Sequence, residues 1–385
     1  MRTLTVGLIG KKFMGRTHTH SYIDLPLFAD LDVQIRRKTL CGTDSEVEQV
    51  AKRWGWENWT TNWEDIIRDP EIDIVDIAAP SIVHAKIAIA AAEAGKHVLC
   101  EKPLALTLED GKQMLEAARK NNIVNMIGFN YRGVPAVEFA KQLIAEGALG
   151  KILHFRGIYQ QDWLTDPDYP VVWRLQRKHA GYGALGDTTS HVLDVLRFWL
   201  GEVDEVVCDQ RTFYPERPQV VSSFGVSAQR GEAMQKVDVD DAACMLVRMK
   251  DHGCLGYVEA TRNGTGHKNQ NRIEVNGSKG SIIFNMEDLN VLEYYNVDDP
   301  IDRRGFRKIQ VSEPFHPYMR DWWGAGHIIG YGDTFIHQAY NFIKAICDGS
   351  EASPSFEDGY KNQIILEAAQ RSYEQHRWVK VSEIE

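Results

Sequence analysis

The sequence predicts an α/β chain in two parts. The first is a parallel sheet covered by helices on both faces, and the second an α+β domain on a largely antiparallel open sheet. Two observations predict this. Up to about residue 130, near-continuous apolar strand segments alternate with helical ones, the pattern of a doubly covered parallel sheet. Beyond it, longer strands follow one another with few helices between them. The 385 residues suffice for two such bodies, and the boundaries read as 1–130 and 131–385, with no flexible linker.

The elements follow in order. Thr3–Ile9 is an apolar run ending at Gly10, and a polar turn to Gly15 opens a helix through His20 and Tyr22. A second strand ends at Leu40-Cys41, and Ser45 is placed to cap a helix over Glu46–Trp54. Ile72–Ala78 is a third strand, stopped by Pro80; His84–Ala94 is an alanine-rich helix ended by Gly95. Lys96–Cys100 is a fourth strand, running into Glu101-Lys102-Pro103. Thr107 starts another helix, and Val124–Gly128 is the last strand of the first part. The second part begins with a helix over Ala136–Glu146, the strand Ile152–Gln160 and a helix over Ala184–Leu200. Strands Val203–Tyr214, Ala242–Met249, Gly256–Arg262, Arg272–Val275 and Ser281–Asn285 follow, with Asn276-Gly277 as a hairpin turn. Helices over Phe335–Cys347 and Phe356–Gln375 close the chain.

Composition excludes several function classes. Acids outnumber Lys and Arg by 54 to 44, a net charge of −10, which argues against nucleic acid and anionic membrane surfaces as partners. No apolar run reaches the roughly 18 residues of a membrane helix. The Leu4–Gly10 run precedes Lys11-Lys12, the wrong order for a signal peptide. Six scattered cysteines without a Cys-x-x-Cys pair read as reduced thiols, with neither a zinc site nor a disulfide frame. The expectation is a cytoplasmic protein. His18 and His20, two apart on a helix, face different ways and make a poor metal pair; no metal site is expected, and His18 reads as solvated, with a place near a cofactor as the alternative.

Gly10-Lys11-Lys12-Phe13-Met14-Gly15 has the spacing of a pyrophosphate-binding turn, with Lys12 in place of the middle glycine. An ordinary strand–turn–helix is the alternative. Asp44, two residues beyond Gly42, can accept from ribose hydroxyls or serve as a helix-start acid. No arginine follows the strand tip, which favours NAD and leaves NADP possible; Arg36, Arg37 and Lys38 precede it.

Pro80…His84…Glu101-Lys102-Pro103 resembles the signature of the Gfo/Idh/MocA oxidoreductases. The resemblance continues through Gly128-Phe129-Asn130-Tyr131-Arg132, Gly183-Ala184-Leu185-Gly186-Asp187-Thr188-Thr189-Ser190-His191 and Glu259-Ala260-Thr261-Arg262-Asn263, and reaches Pro354–Gly359. Gln160–Trp163, Trp173-Arg174 and Arg303–Arg307 look most like the levoglucosan dehydrogenase branch. Lys12 and Ser81, where the family often has glycine and asparagine, depart from it. The resemblance implies an N-terminal Rossmann domain holding NAD with Gly10, Lys12, Phe13, Met14, Gly15, Thr43, Asp44, Pro80, His84, Glu101 and Lys102. It implies a catalytic set of Lys102, Asp187 and His191. Arg132, Gln161, Asp162, Trp163 and Arg174 would join Asp187 and His191 around a sugar, with Thr261, Arg262, Asn263 and Tyr331 nearby.

These residues suit the chemistry. Hydride transfer from a carbinol needs a base for the hydroxyl proton and a cation beside the developing alkoxide. Lys102 follows a parallel strand, where such sheets present their ligands. Asp187 and His191, four apart, share one face of the helix expected there, and histidine titrates near neutrality. The function expected is an NAD(P)-dependent dehydrogenase acting on a secondary hydroxyl of a cyclic sugar, anhydrosugar or polyol. Inositol 2-dehydrogenase is the enzyme alternative. A non-catalytic nucleotide-sensing regulator is the alternative of another class, which intact Lys102, Asp187 and His191 argue against. A homo-oligomer, dimer or tetramer, is implied by the open second sheet.

Overall fold

The computed structural model describes residues 2–224 and 227–384. The chain forms two compact units: residues 1–130 with 331–361, and residues 131–330 with 362–385. The division at 1–130 and 131–385 is thereby corrected. Residues 331–361 return to the first unit, which no change of strand pattern announces.

In the first unit six strands, β1 (Arg2–Ile9), β2 (Val33–Cys41), β3 (Asn58–Thr60), β4 (Ile74–Ile77), β5 (His97–Cys100) and β6 (Asn125–Ile127), lie parallel in the order β3-β2-β1-β4-β5-β6. All of β4 is buried, as are Leu4, Val6 and Leu8 of β1, as a sheet covered on both faces requires. The strand order reverses between β1 and β4, where the carboxyl ends open a ligand crevice in such sheets. Helices α1 (Phe13–Phe28), α2 (Glu46–Trp54), α3 (Trp63–Arg68), α4 (His84–Glu93) and α5 (Leu108–Lys120) connect the strands. Thr107 caps α5 by accepting from Asp110 N. Ser45 makes no side-chain cap on α2; Asp44 Oδ1 accepts from Glu46 N instead. The three-residue β3 lacks the apolar run that would have announced it.

The second unit starts with α6 (Pro135–Ala145), β7 (Ile152–Gln160), α7 (Arg177–Ala180), α8 (Ala184–Asp187) and α9 (Thr189–Leu200). The helix expected over Ala184–Leu200 is therefore broken at Thr188. The hydroxyls of Thr188 and Thr189 both donate back to Ala184 O, competing with the helical ladder. Strands β8 (Val203–Arg211), β9 (Glu216–Phe224), β10 (Ser227–Lys236), β11 (Ala242–Met249), β12 (Leu255–Thr261), β13 (Gln270–Gly277), β14 (Gly280–Asn285), β15 (Val291–Asn296) and β16 (Arg307–Gln310) follow. Asn276 and Gly277 end β13, and the turn falls on Ser278-Lys279. Helix α10 (Asp333–Asp348) belongs to the first unit; α11 (Phe356–Gln375) begins there and continues into the second, ahead of β17 (Val379–Lys380).

The large sheet of the second unit runs β16-β15-β14-β13-β7-β12-β11-β8-β17, antiparallel except between β7 and β12. Burial alternates along β11 and β12, one face packed and the other open. The β9–β10 hairpin is a separate two-stranded sheet. Its strands lack a buried stripe, so hydrophobic periodicity could not reveal them.

Three strands of contact tie the returning segment into the first unit. Ile127 N donates to Pro354 O at 3.0 Å and Phe356 N to Asn125 Oδ1 at 2.7 Å, covering the free edge of β6. Asn130 Nδ2 donates to Thr334 Oγ1 at 2.8 Å. Phe356, wholly buried, joins the core of Ile77, Val98, Cys100, Leu104, Ile127 and Phe129.

Candidate active site

The turn from β1 into α1 is built for close backbone approach. Gly10 has φ +131°, and a Cβ there would lie 2.3 Å from Ala78 O. A Cβ on Gly15 would lie 1.9 Å from Gly10 O. Lys12 sits at φ −91°, ψ −151°, ordinary extended backbone, so the missing middle glycine causes no strain. Its side chain is exposed, and no side chain caps α1, so the first N–H groups of a 16-residue helix remain for an anion. The turn thus fits a dinucleotide pyrophosphate.

Phe13 stacks on Tyr331 with centroids 6.5 Å apart, and Tyr331 in turn meets Phe335, so Tyr331 belongs beside this turn within the first unit. Asp44 is held by Lys11 Nζ at 2.8 Å, an ion pair the sequence did not suggest. That hydrogen bond keeps the Asp44 carboxyl below its usual range, though burial opposes it slightly. Thr43 is exposed beside it.

At the carboxyl end of β5, Glu101 is buried and Lys102 half-buried. Glu101 Oε1 lies 3.0 Å from His18 Nε2, and its Oε2 accepts from Lys102 N at 3.3 Å. His18 Nδ1 lies 2.8 Å from Asp76 Oδ1, and Tyr22 donates to Asp76 Oδ2 at 2.9 Å. His18 is only 1% exposed, so the solvated histidine expected from sequence is corrected: helix α1 turns it against β4 and β5. Burial opposes its charge, yet Asp76 and Glu101 outweigh that and raise its pKa to about 10. His84 is buried as well, its nitrogens 2.9 Å from Ala79 O and 3.0 Å from Pro103 O. Burial lowers its pKa, though the facing carbonyls and Glu101 oppose that, and the ring lies between two loops of the site. Pro80 is exposed at the tip of the β4 loop.

In the second unit a buried carboxylate sets the start of α8. Asp240 accepts from Gly183 N and Leu185 N, each at 2.8 Å, and its own carbonyl accepts from Arg262 Nη2 at 2.7 Å. Only glycine fits at 183, since a Cβ would lie 1.8 Å from Asp240 O. This anchor fixes the short α8 that carries Asp187 and leads into α9, which carries His191. Asp187 Oδ2 faces Arg174 Nε at 4.0 Å, both half-buried. The His191 ring packs on Tyr131, centroids 4.5 Å apart, and near Tyr159. Burial, with Asp187's charge adding to it, raises the Tyr131 pKa.

Beyond these rings runs a chain of hydrogen bonds. Tyr131 and Tyr159 hydroxyls meet at 2.7 Å, Tyr159 donates to Asn269 Oδ1 at 2.7 Å, and Gln161 Nε2 donates to the same oxygen at 2.9 Å. Trp163 Nε1 donates to Gln161 Oε1 at 3.0 Å. Because Tyr159 donates to Asn269, it must accept from Tyr131. Half-buried Trp163, Gln161 and Arg174 therefore sit on a wall whose other members, Tyr131, Tyr159 and Asn269, had no assigned role in the sequence. The alternation of β7 places Tyr159 on the packed face; nothing in the sequence marks Asn269.

Several residues expected at the sugar are engaged elsewhere. Arg132, 5% exposed, forms a two-pronged pair with Asp194 at 2.6 and 2.9 Å and lies over the Phe198 ring. Its guanidinium is thus tied to α9 through Asp194. Arg262 is fully buried and donates to the carbonyls of Asp240 and Arg174. Arg217, also fully buried on β9, grips the carbonyls of Leu164 and Asp166, shaping the loop after Trp163. Asn263 Nδ2 donates to Leu164 O. Asp162 is paired with Lys268 at 2.6 Å, which holds its pKa down against a small opposing burial.

Among the described residues, no three His, Cys, Asp or Glu side chains gather as a metal site, and no helix is long and apolar enough to cross a membrane. A cleft of about 660 Å³ lies among Thr3, Gln34, Arg36, Glu57 and Glu71, near the amino ends of the strands and away from Lys102.

Residues 4–129 match the family model described as an oxidoreductase family with an NAD-binding Rossmann fold, and residues 137–283 the GFO/IDH/MocA C-terminal domain. The chain is 46% identical to levoglucosan dehydrogenase of Pseudarthrobacter phenanthrenivorans, over 100% of both chains. It is 29% identical to myo-inositol 2-dehydrogenase of Thermotoga maritima over 99% of each. A solved levoglucosan dehydrogenase in complex with NADH and levoglucosan is similar at a TM-score of 0.93 and 45% identity, covering 99% of this chain and 100% of that one.

Proposed function

The chain belongs to the GFO/IDH/MocA oxidoreductase family, and from that premise we propose that it oxidises a secondary hydroxyl of a cyclic anhydrosugar or pyranose with NAD. The observation that carries the substrate class is the 46% identity to levoglucosan dehydrogenase across the full length of both chains. NAD, when bound, supplies the hydride acceptor. The Gly10–Gly15 turn and the uncapped start of α1 would hold its pyrophosphate, and Asp44 would accept from its ribose.

Three side chains then act on the reacting hydroxyl. Lys102 polarises the oxygen and stabilises the alkoxide as the C–H bond breaks. His191, neutral at the start, takes the hydroxyl proton. Asp187 orients the sugar or that imidazole, and Arg174, 4.0 Å from it, aims its carboxylate. Trp163 offers its face to the ring, and Gln161 donates or accepts at ring hydroxyls. Tight packing of His191 on Tyr131 limits the imidazole to one orientation.

The test is a panel of levoglucosan, other pyranoses, inositols and short alcohols with NAD and with NADP, read by reduced-nicotinamide absorbance. Levoglucosan or a related pyranose with NAD should give the highest kcat/KM. Fastest turnover of an inositol would move the assignment to that class. NAD binding without turnover of any polyol would make the chain a regulator. We also propose that the chain works in the cytoplasm as a homo-oligomer. Leu246 and Leu255, exposed on the open face of adjacent strands β11 and β12, support that proposal; a monomer in sedimentation would refute it.

A further inference from the structure

The most deeply buried charges of the first unit lie behind Lys102, and the reaction as proposed gives them no task. His18 is 1% exposed, Asp76 0% and Glu101 6%. They come from three elements, α1, β4 and the end of β5. Both ring nitrogens of His18 face carboxylate oxygens: Nδ1 lies 2.8 and 2.9 Å from the two of Asp76, and Nε2 3.0 Å from Oε1 of Glu101. Only a doubly protonated ring donates in both directions. A neutral ring would aim a lone pair at one carboxylate. The Tyr22 hydroxyl donates to Asp76, and Phe335 of α10 packs on the imidazole at 5.7 Å. The second oxygen of Glu101 accepts from the Lys102 backbone N–H. One carboxylate therefore joins the imidazole to the amide of the lysine.

Resting on the assignment of Lys102 above, we infer that His18 is a positioning residue for it. The imidazolium, seated on Asp76, fixes the Glu101 carboxylate, and that carboxylate fixes the backbone from which the Lys102 ammonium projects. Nothing at the reacting carbon passes through His18. The same helix that opens at the Gly10–Gly15 turn thus also sets the cation for the alkoxide. A catalytic cation gains from being held before the reaction, since no reorganisation is then needed as charge develops.

The two halves of the imidazole can be replaced separately. The amide nitrogen of glutamine falls near the position of Nε2, towards Glu101; that of asparagine falls near Nδ1, towards Asp76. His18→Gln should keep kcat within about threefold of wild type, whereas His18→Asn should lose about tenfold or more. NADH affinity, read by fluorescence, should stay within about threefold for both, because neither touches the Gly10–Gly15 turn. A histidine that merely fills or neutralises the core would give the same kcat for both variants, and that result, or the reverse order, overturns the inference.

If the asparagine variant does not fold, neutron diffraction on the wild-type protein at mildly alkaline pD decides. Deuterons on both nitrogens of His18 support the inference, and a single deuteron refutes it. Lys102→Ala in the same assay keeps the two claims apart. Turnover surviving there removes the assignment of Lys102 itself. Loss there, with His18→Asn equal to His18→Gln, removes only the role of His18.

Discussion

Replacing Arg132 with alanine should cost stability and leave substrate affinity alone. The guanidinium is 5% exposed and Asp194 1%, joined by two hydrogen bonds of 2.6 and 2.9 Å. Truncation leaves a carboxylate buried without its cation, which costs about 3–5 kcal/mol. The guanidinium also lies 4.7 Å from the Phe198 ring centroid, a contact of about 0.5–2 kcal/mol that overlaps with the first. A loss of about 4 kcal/mol is therefore expected in urea unfolding followed by circular dichroism. The pair as a whole is worth far less than its halves. Arg132→Met with Asp194→Leu, which removes both charges and keeps the volume, should return to within about 1 kcal/mol of wild type. The KM for sugar in that double variant should stay within about twofold. Wild-type urea resistance in Arg132→Ala, together with a KM raised tenfold, would refute the reasoning and return Arg132 to the substrate.

Other outcomes follow from the same geometry. Gly183→Ala drives a methyl to 1.8 Å from Asp240 O and should destabilise by about 2 kcal/mol or more in urea while lowering kcat, since the displaced α8 carries Asp187 and leads into the start of α9 with His191. The pKa of His18 is raised from 6.5 to about 10, so the folded chain holds a proton that the unfolded chain releases. Its contribution should be full below pH 6.5 and fade as pH rises towards about 10, a slope in stability that His18→Gln should abolish. Lys12→Gly should keep NAD affinity within about threefold in calorimetry, because the lysine backbone is already unstrained; a tenfold loss would make its ammonium a phosphate ligand. Trp163→Ala should raise KM more than it lowers kcat, since stacking is felt by ground and transition states alike.

What was legible in the sequence followed from apolar periodicity and from short blocks with fixed chemistry. The runs at Thr3–Ile9 and Lys96–Cys100 announced buried parallel strands, and Thr107 its helix start, because each signal is local. The β9–β10 hairpin and β16 were missed because their side chains are largely exposed, and β15 because its side chains are half-buried on both faces, so none gives a stripe. The break at Thr188 came from hydroxyls bonding back to the chain, which no helical pattern displays. At the site, Gly10 and Gly15 stood out by their spacing, whereas Lys102, Asp187 and His191, proposed above as catalytic, were singled out by the family resemblance of the blocks that carry them. The surroundings of Arg132 and His84 were not legible, because the sequence shows that a charged or titratable group exists, and not what is buried against it. Asp194 and the carbonyls of Ala79 and Pro103 decide those cases. His18 is the sharpest example: its partners lie 58 and 83 residues away.

The first unit is closed by residues that are made long after its strands. Pro354 and Phe356 hold the β6 edge, and Thr334 holds Asn130, yet Phe356 follows Asn125 by 231 residues, most of them belonging to the other unit. At roughly 5–20 residues per second, a nascent chain carries its nucleotide-binding sheet with an open β6 edge for about 10–45 seconds. An exposed parallel edge is a template for wrong pairing. A fragment ending at residue 130 should share that fault permanently, and be recovered as aggregate unless the segment 331–361 is supplied with it. The nucleotide unit, first in sequence, is thus finished only near the end of synthesis, shortly before residues 362–385 complete the other unit.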